Sequence, residues 1–429
     1  MSKENGLKKL FLSLFKLTAL IQTFFACFWL SRHLFIYAEE ALSNNYIEAA
    51  KTLTVDDYMG ILYALFVRVL GHGTFLYIVQ LVVIFASVYI FCKSVPLSKS
   101  LSAWVSLFIL TSPFVLQCTC LVLPHAFVLA DIFFMLAALR LWKLKTFFVL
   151  DLVLGFLNPD CTYLSLIALI PLGIVFLVKK KKHALFFILS IIAAFLICCE
   201  VNSNISVVYA YGNAEKSLSI LLLQRTTLGH ICENSQIVYD CYGEDFYGDM
   251  LGADKIPEYL FCSFGYKFEQ LAGAEKAQAM YEFIANRSIS KGPGYYGRDI
   301  IKDFFLYLFT PFSVAFVCLK NVSGTLIFNP LYSFGQGMNL NFVKIYMLFH
   351  MVMSALLVIL TLVCLIKRIF AARKRPAYLG LNIYICYLMI INTLYATFIC
   401  LRGYDYRNAL FILAAFVLLP VLNFEGEEG

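Results

Sequence analysis

A chain of 429 residues that is 61% hydrophobic and 14% charged, with a mean hydropathy of +0.80, carries more apolar surface than the core of a water-soluble domain can bury. Composition therefore points to a multi-span membrane protein, and apolar runs that are continuous instead of alternating point to helical spans of roughly 20 residues, not barrel strands. The net charge of +7 does not indicate a nucleic-acid partner, because Lys and Arg stand in short clusters between the apolar runs, where they act as topology determinants.

The first apolar run, 10–30, is too long for a cleaved secretory signal and lacks a small-residue cleavage site, so it is expected to be a retained span. Further spans are expected at 74–92, 101–117, 124–142, 147–157, 161–178, 184–200, 343–366, 378–400 and 408–423, about ten in all by the length rule. With Lys3, Lys8 and Lys9 cytoplasmic, Lys93/Lys99, Arg140/Lys143/Lys145, Lys179 to Lys182 and Lys367 to Arg375 fall on the same side. Both termini are then cytoplasmic and the chain is a multi-pass protein of the plasma membrane. A span at 304–319 would turn the 367–375 cluster outward, so that run is expected to dip into the membrane from the outer face.

The expected fold is an all-α polytopic membrane protein in three parts. Residues 1–200 form an N-terminal transmembrane module with a first outer loop at 31–73, residues 201–342 a larger, mostly helical extracytoplasmic domain, and residues 343–429 the C-terminal transmembrane helices. Most of the 14 cysteines, among them Cys27, Cys92, Cys198, Cys199, Cys364, Cys386 and Cys400, lie in or at the ends of apolar runs as small hydrophobes. Cys232 and Cys241 could pair in the outer domain, and no Cys/His spacing matches a zinc site.

In the first outer loop, AEEALSNNYIEAAKTL sets Ala38, Leu42, Tyr46, Ala49 and Leu53 on one helical stripe, with Glu39, Glu40, Asn44 and Glu48 off it. A second helix is expected from Tyr58 to Leu70, after a Thr54 to Asp57 sequence suited to capping its start. In the large outer domain, EKAQAMYEFIANRSIS and YYGRDIIKDFFLYLF read as two more helices, parted by the breaker GPG at 292–294.

This order of features resembles the glycosyltransferase C superfamily, with the protein mannosyltransferases that use dolichyl phosphate mannose and their bacterial relatives as the nearest comparison. Those enzymes read Asp-Glu, a Tyr-containing helix, a His-Pro-Pro-Leu-like element and a Leu-Phe-Gly ending. The matching positions are Glu39, Glu40, Tyr46, Asp57 to Leu62 and Leu70-Gly71. Glu39 stands where Asp is usual, and DYMGIL replaces the proline element. LGFLNPDCTYLSLIALIPL is similar to the superfamily's short fifth span, polar-Pro break and sixth span, and RGYDYRNALFILAAF to its Arg-Tyr approach to a late span.

The resemblance implies an inverting transferase that takes a sugar from a polyprenyl phosphate carrier and passes it, at the outer face, to a glycan, lipid or protein acceptor. Such chemistry needs a carboxylate to accept the hydroxyl proton and cations to steady the departing phosphate. Glu39, Glu40 and Asp57 are the candidate acids, Asp56 and Asp57 equally suiting a helix cap. Arg407, Arg225 and Arg402 are the candidate phosphate ligands, outer-side arginines that the inside rule does not explain, although each could instead pair with an acid such as Asp405. His125, at the outer end of the fourth span, is a candidate sugar contact or a packing residue. Asp131, deeper in that span, is expected to face protein, and Asn158 and Asp160 to serve the break at Pro159.

The reading calls for no particular cofactor and no metal ligand set, and leaves a divalent cation open. A lipid-linked saccharide transporter or flippase is the rival: it would need paired charges inside the membrane and broken helices, whereas most charges here stand at the ends of runs. A non-catalytic scaffold that kept the fold is the third reading, favoured by the departures at Glu39 and DYMGIL.

Overall fold

The computed structural model describes residues 2–32, 41–55, 59–95, 97–141, 143–158 and 183–205, together with isolated helical positions at 297, 301, 352, 356 and 359. The described residues are all-α, with no strand among them. In chain order the helices are α1 (Ser2–Arg32), α2 (Ala41–Thr52), α3 (Ile61–Leu70), α4 (Thr74–Ser94), α5 (Lys99–Leu110), α6 (Pro113–Cys120), α7 (His125–Arg140), α8 (Leu144–Leu157) and α9 (His183–Ile205). The expected sixth span at 161–178, the two outer-domain helices, the dipping segment 304–319 and most of the last three spans lie outside the described residues.

Contacts between α4 and α7 form the centre of the core and fix its direction. Gln80 of α4 bonds to carbonyls just before α7 begins, and Phe91, eleven residues on, meets Phe133 with ring centroids 5.5 Å apart. The two helices therefore run parallel. A short turn returns the chain from α7 into α8, which packs back along it, and Lys143 N–H closes that turn on Ala138 O at 2.8 Å. Lys93, Lys99, Arg140, Lys143 and Lys145 consequently gather at one end of the bundle, and the starts of α4 and α7 lie with the end of α8 at the other.

The helices α2 and α3 cover that second end. Tyr46 and Ala49 of α2 are buried, as the helical stripe predicts, and Ala50 is buried beside them, while Asn44 and Glu48 face outward. Leu53 departs from the stripe: α2 stops at Thr52, and Leu53 takes a left-handed φ of 59° with its side chain exposed. Glu48 pairs with Lys51 at 3.1 Å on the open face. α3 starts at Ile61, three residues later than expected, with Gly60 as its N-cap and no side-chain cap bond. Close approach sets that start, since a Cβ on Gly60 would run into the carbonyls of Phe156 and Leu157 at the end of α8.

The expected third span is broken. α5 ends at Leu110, and Ser112 is extended (φ −60°, ψ 131°) ahead of Pro113, which opens α6. Proline's ring disfavours helical geometry in the residue before it and supplies no N–H, so the helix must stop and restart. Three buried hydroxyls are satisfied within their own helices: Thr18 bonds to Leu14 O, Ser87 to Ile84 O and Thr119 to Leu116 O at 2.7–2.8 Å.

α4 is apolar on both faces. Its buried face carries Gln80 and Ser87 among Leu76, Ile84, Val88 and Phe91, while Phe75, Ile78, Val82, Phe85 and Tyr89 stand exposed at helical spacing. α9 repeats the pattern with Leu185, Leu189, Ile192 and Leu196. Among the described residues α4 is the one helix long and apolar enough to cross a membrane by itself. Its 21 residues span about 31 Å, close to the hydrocarbon thickness of a bilayer.

Candidate functional site

The covered end of the bundle is where α2 and α3, the start of α7 and the end of α8 converge. Tyr46 of α2 meets Tyr63 of α3 edge to face at 5.1 Å. Tyr63 in turn contacts Phe127 of α7 at 5.9 Å, and Phe66 stacks on Phe127 at 4.8 Å with the rings 8° from parallel. Together these rings fix α2 and α3 on the first turn of α7. The helical spacing of Tyr63 and Phe66, and the placement of Phe127 two residues into α7, put all of them on facing surfaces.

Beneath the rings lies a fully buried polar chain. Tyr63 OH donates to Gln80 Oε1 at 2.9 Å, and Gln80 Nε2 donates to the carbonyls of Thr119 at 2.9 Å and Leu121 at 3.3 Å. Tyr63 and Gln80 are both solvent-inaccessible. The accepting carbonyls belong to the end of α6 and to the non-helical connection 121–124, where backbone groups have lost their helical partners. Removing the tyrosine hydroxyl would leave the amide oxygen dry, at a cost of about 1–3 kcal/mol.

His125 is the first residue of α7 and is buried, directly after this connection and two residues before Phe127. Of the residues predicted as functional, it is the one within the described part, and the structure brings it beside the cover formed by α2 and α3. Glu39, Glu40, Asp57, Arg225, Arg402 and Arg407 lie outside the described residues. In sequence, Glu40 immediately precedes α2 and Asp56-Asp57 follow Val55, so the acid pairs border the ends of a helix that is held in place.

A second polar locus sits deeper, between α7 and α8. Asp131 is buried as expected for an acid facing protein, and Asp151, which the sequence reading passed over, is buried opposite it. Asp131 stands ten residues before Leu141 and Asp151 eight after Lys143, so across the hairpin they lie within about 3 Å of the same depth. Asp131 Oδ2 has no hydrogen-bond partner among the described residues. Asn158 is buried as the C-cap of α8, its backbone N–H bonding to Leu154 O at 2.8 Å, and Pro159 and Asp160 lie outside the described residues.

Gln80 and Asp151 carried one available signal, a polar residue inside an otherwise apolar run, which in such a run must find a protein partner. No group of three or more His, Cys, Asp or Glu side chains suited to a metal ion occurs among the described residues. Comparison with protein-family models, curated proteins and solved structures finds no match to this chain.

Proposed function

We propose that the protein is a membrane-embedded glycosyltransferase of the C type, about ten spans long, that moves a sugar from a polyprenyl phosphate carrier to an envelope acceptor at the outer face. The observation that carries the reading is the pair α2 and α3, with Glu39-Glu40 before α2 and Asp56-Asp57 between the two helices in sequence, packed over the end of the bundle that bears His125. The opposite end gathers Lys93, Lys99, Arg140, Lys143 and Lys145, the distribution that a cytoplasmic face demands. The exposed apolar stripes on α4 and α9, with polar side chains turned inward, suit a lipid surround.

Glu39 or Glu40 takes the acceptor's proton, with Asp57 as the alternative acid, and Arg407, Arg225 and Arg402 receive the carrier phosphate. Orientation is tested by single cysteines in a background without other reactive thiols, labelled on whole cells with an impermeant maleimide. Positions 235, 276 and 320 should label from outside and positions 180 and 373 should not; labelling at 373 without 320 would overturn the dipping assignment of 304–319.

Donor binding is tested by thermal unfolding of the purified protein with and without polyprenyl phosphate sugar. Donor should raise the melting temperature of wild type, and this protection should shrink strongly in Arg407→Lys, which keeps the charge but loses the bidentate fork. Full protection of Arg407→Ala would remove Arg407 from the phosphate site.

A transporter of lipid-linked saccharide is the second reading, favoured by the break at Thr111–Pro113 and by Asp131 and Asp151 at matching depth. On that reading Asp131→Asn abolishes movement of substrate. On the transferase reading it leaves transfer intact and, because an amide stays neutral beside Asp151 without binding a proton, keeps or raises the melting temperature.

A further inference from the structure

The connection 121–124 interrupts the helical backbone in a buried, apolar part of the bundle. An unwound stretch in such surroundings persists only where its carbonyls find donors. Gln80 supplies two such bonds, to Thr119 O and Leu121 O, from a single amide. Its remaining acceptor takes the Tyr63 hydroxyl of α3. The orientation of the amide is dictated by its partners, because reversing it would set its oxygen against two carbonyl oxygens. Among natural side chains of this length, glutamine alone offers a neutral acceptor together with two donors. One side chain therefore ties the outer-loop helix to the strand of chain that leads into His125.

We propose that Gln80 and Tyr63 are positioning residues for sugar transfer: their hydrogen-bonded chain holds α3 and the connection before His125 as one unit, and so fixes the wall of the donor site against the acids that border α2. The proposal rests on the glycosyltransferase reading and adds to it the residues that set the geometry. Neither side chain touches substrate. The aromatic contacts of Tyr63 with Tyr46 and Phe127 hold α3 against α7 by packing, whereas the hydroxyl and the amide set the register between them.

The test uses purified full-length protein carrying Tyr63→Phe, Gln80→Met or both. Label transfer from a polyprenyl phosphate sugar is followed as kcat and KM per folded molecule, and amide hydrogen exchange is followed over residues 121–128. Each single substitution should lower kcat roughly tenfold or more with little change in KM, since a small misplacement away from the chemistry costs that much. The double variant should be no worse than the poorer single one, because both break the same chain. Tyr63→Phe, although it lies in α3, should also speed exchange at 121–128.

A lower melting temperature with unchanged turnover per folded molecule would make the two residues merely structural and overturn the proposal. If Gln80→Met does not fold, Tyr63→Phe decides alone, since it keeps every ring contact. Failure of wild type to transfer from any donor would fell the glycosyltransferase reading; raised exchange at 121–128 would still uphold the coupling of α3 to the connection, and unchanged exchange would overturn that as well.

Discussion

Gly60→Val is expected to leave little folded protein, and Gly60→Ala to be destabilised by about 3 kcal/mol, the upper end of the usual overpacking penalty. The backbone at Gly60 (φ −82°, ψ 128°) would accept any residue, so the effect is one of space alone. A Cβ there meets the carbonyl oxygens of Phe156 and Leu157, which are backbone atoms at the end of α8 and cannot rotate aside as a side chain would. Relief requires α3 to lift from α8, which would also part Phe66 and Tyr63 from Phe127. Gly73→Ala is the control: nothing lies within 4 Å of a Cβ built there, and it should behave as wild type. Thermal unfolding in detergent reads both. A Gly60→Val protein that melts with wild type would mean that α3 does not abut α8 in this way.

Glu39→Gln should lower transfer per folded molecule by about 100- to 10,000-fold, the usual worth of a general base, while abundance and donor binding persist. The amide keeps the shape of the carboxylate but cannot accept a proton. Glu40→Gln and Asp57→Asn, measured beside it, locate the base. If Glu39→Gln is active and one of the other two is dead, the proposed assignment of the base is shifted within 39–57; if all three transfer normally, none of these carboxylates is the base. Tyr46, Ala49 and Ala50 pack the buried face of α2, and transfer is compared per folded molecule in all three variants.

Much of the bundle was legible because hydrophobic length speaks directly. α1, α4, α7, α8 and α9 fall where the apolar runs predict, and the buried face of α2 follows from Tyr46 and Ala49 at helical spacing. The break between α5 and α6 was written in Ser112-Pro113, but an unbroken apolar run from 101 to 117 masked it. The start of α3 was not legible, because Gly60 takes its place from the end of α8, nearly a hundred residues away in sequence. Gln80 is a polar residue in an apolar run that the sequence alone does not single out, and nothing local names Tyr63 and two distant carbonyls as its partners. The pair of buried acids was half visible: Asp131 is expected to face protein, while only the hairpin of α7 and α8 brings Asp151 to the same depth.

The central claim is that this outer-face site transfers a sugar, and one measurement tests it most directly. Purified wild-type protein is incubated with a panel of radiolabelled polyprenyl phosphate sugars and a membrane extract as acceptor source, with Glu39→Gln in parallel. Label moving from one donor to an acceptor in wild type and not in Glu39→Gln is the predicted result. No transfer from any donor, by protein that donor nonetheless protects against heat, would contradict the claim and leave a lipid-binding scaffold or transporter in its place.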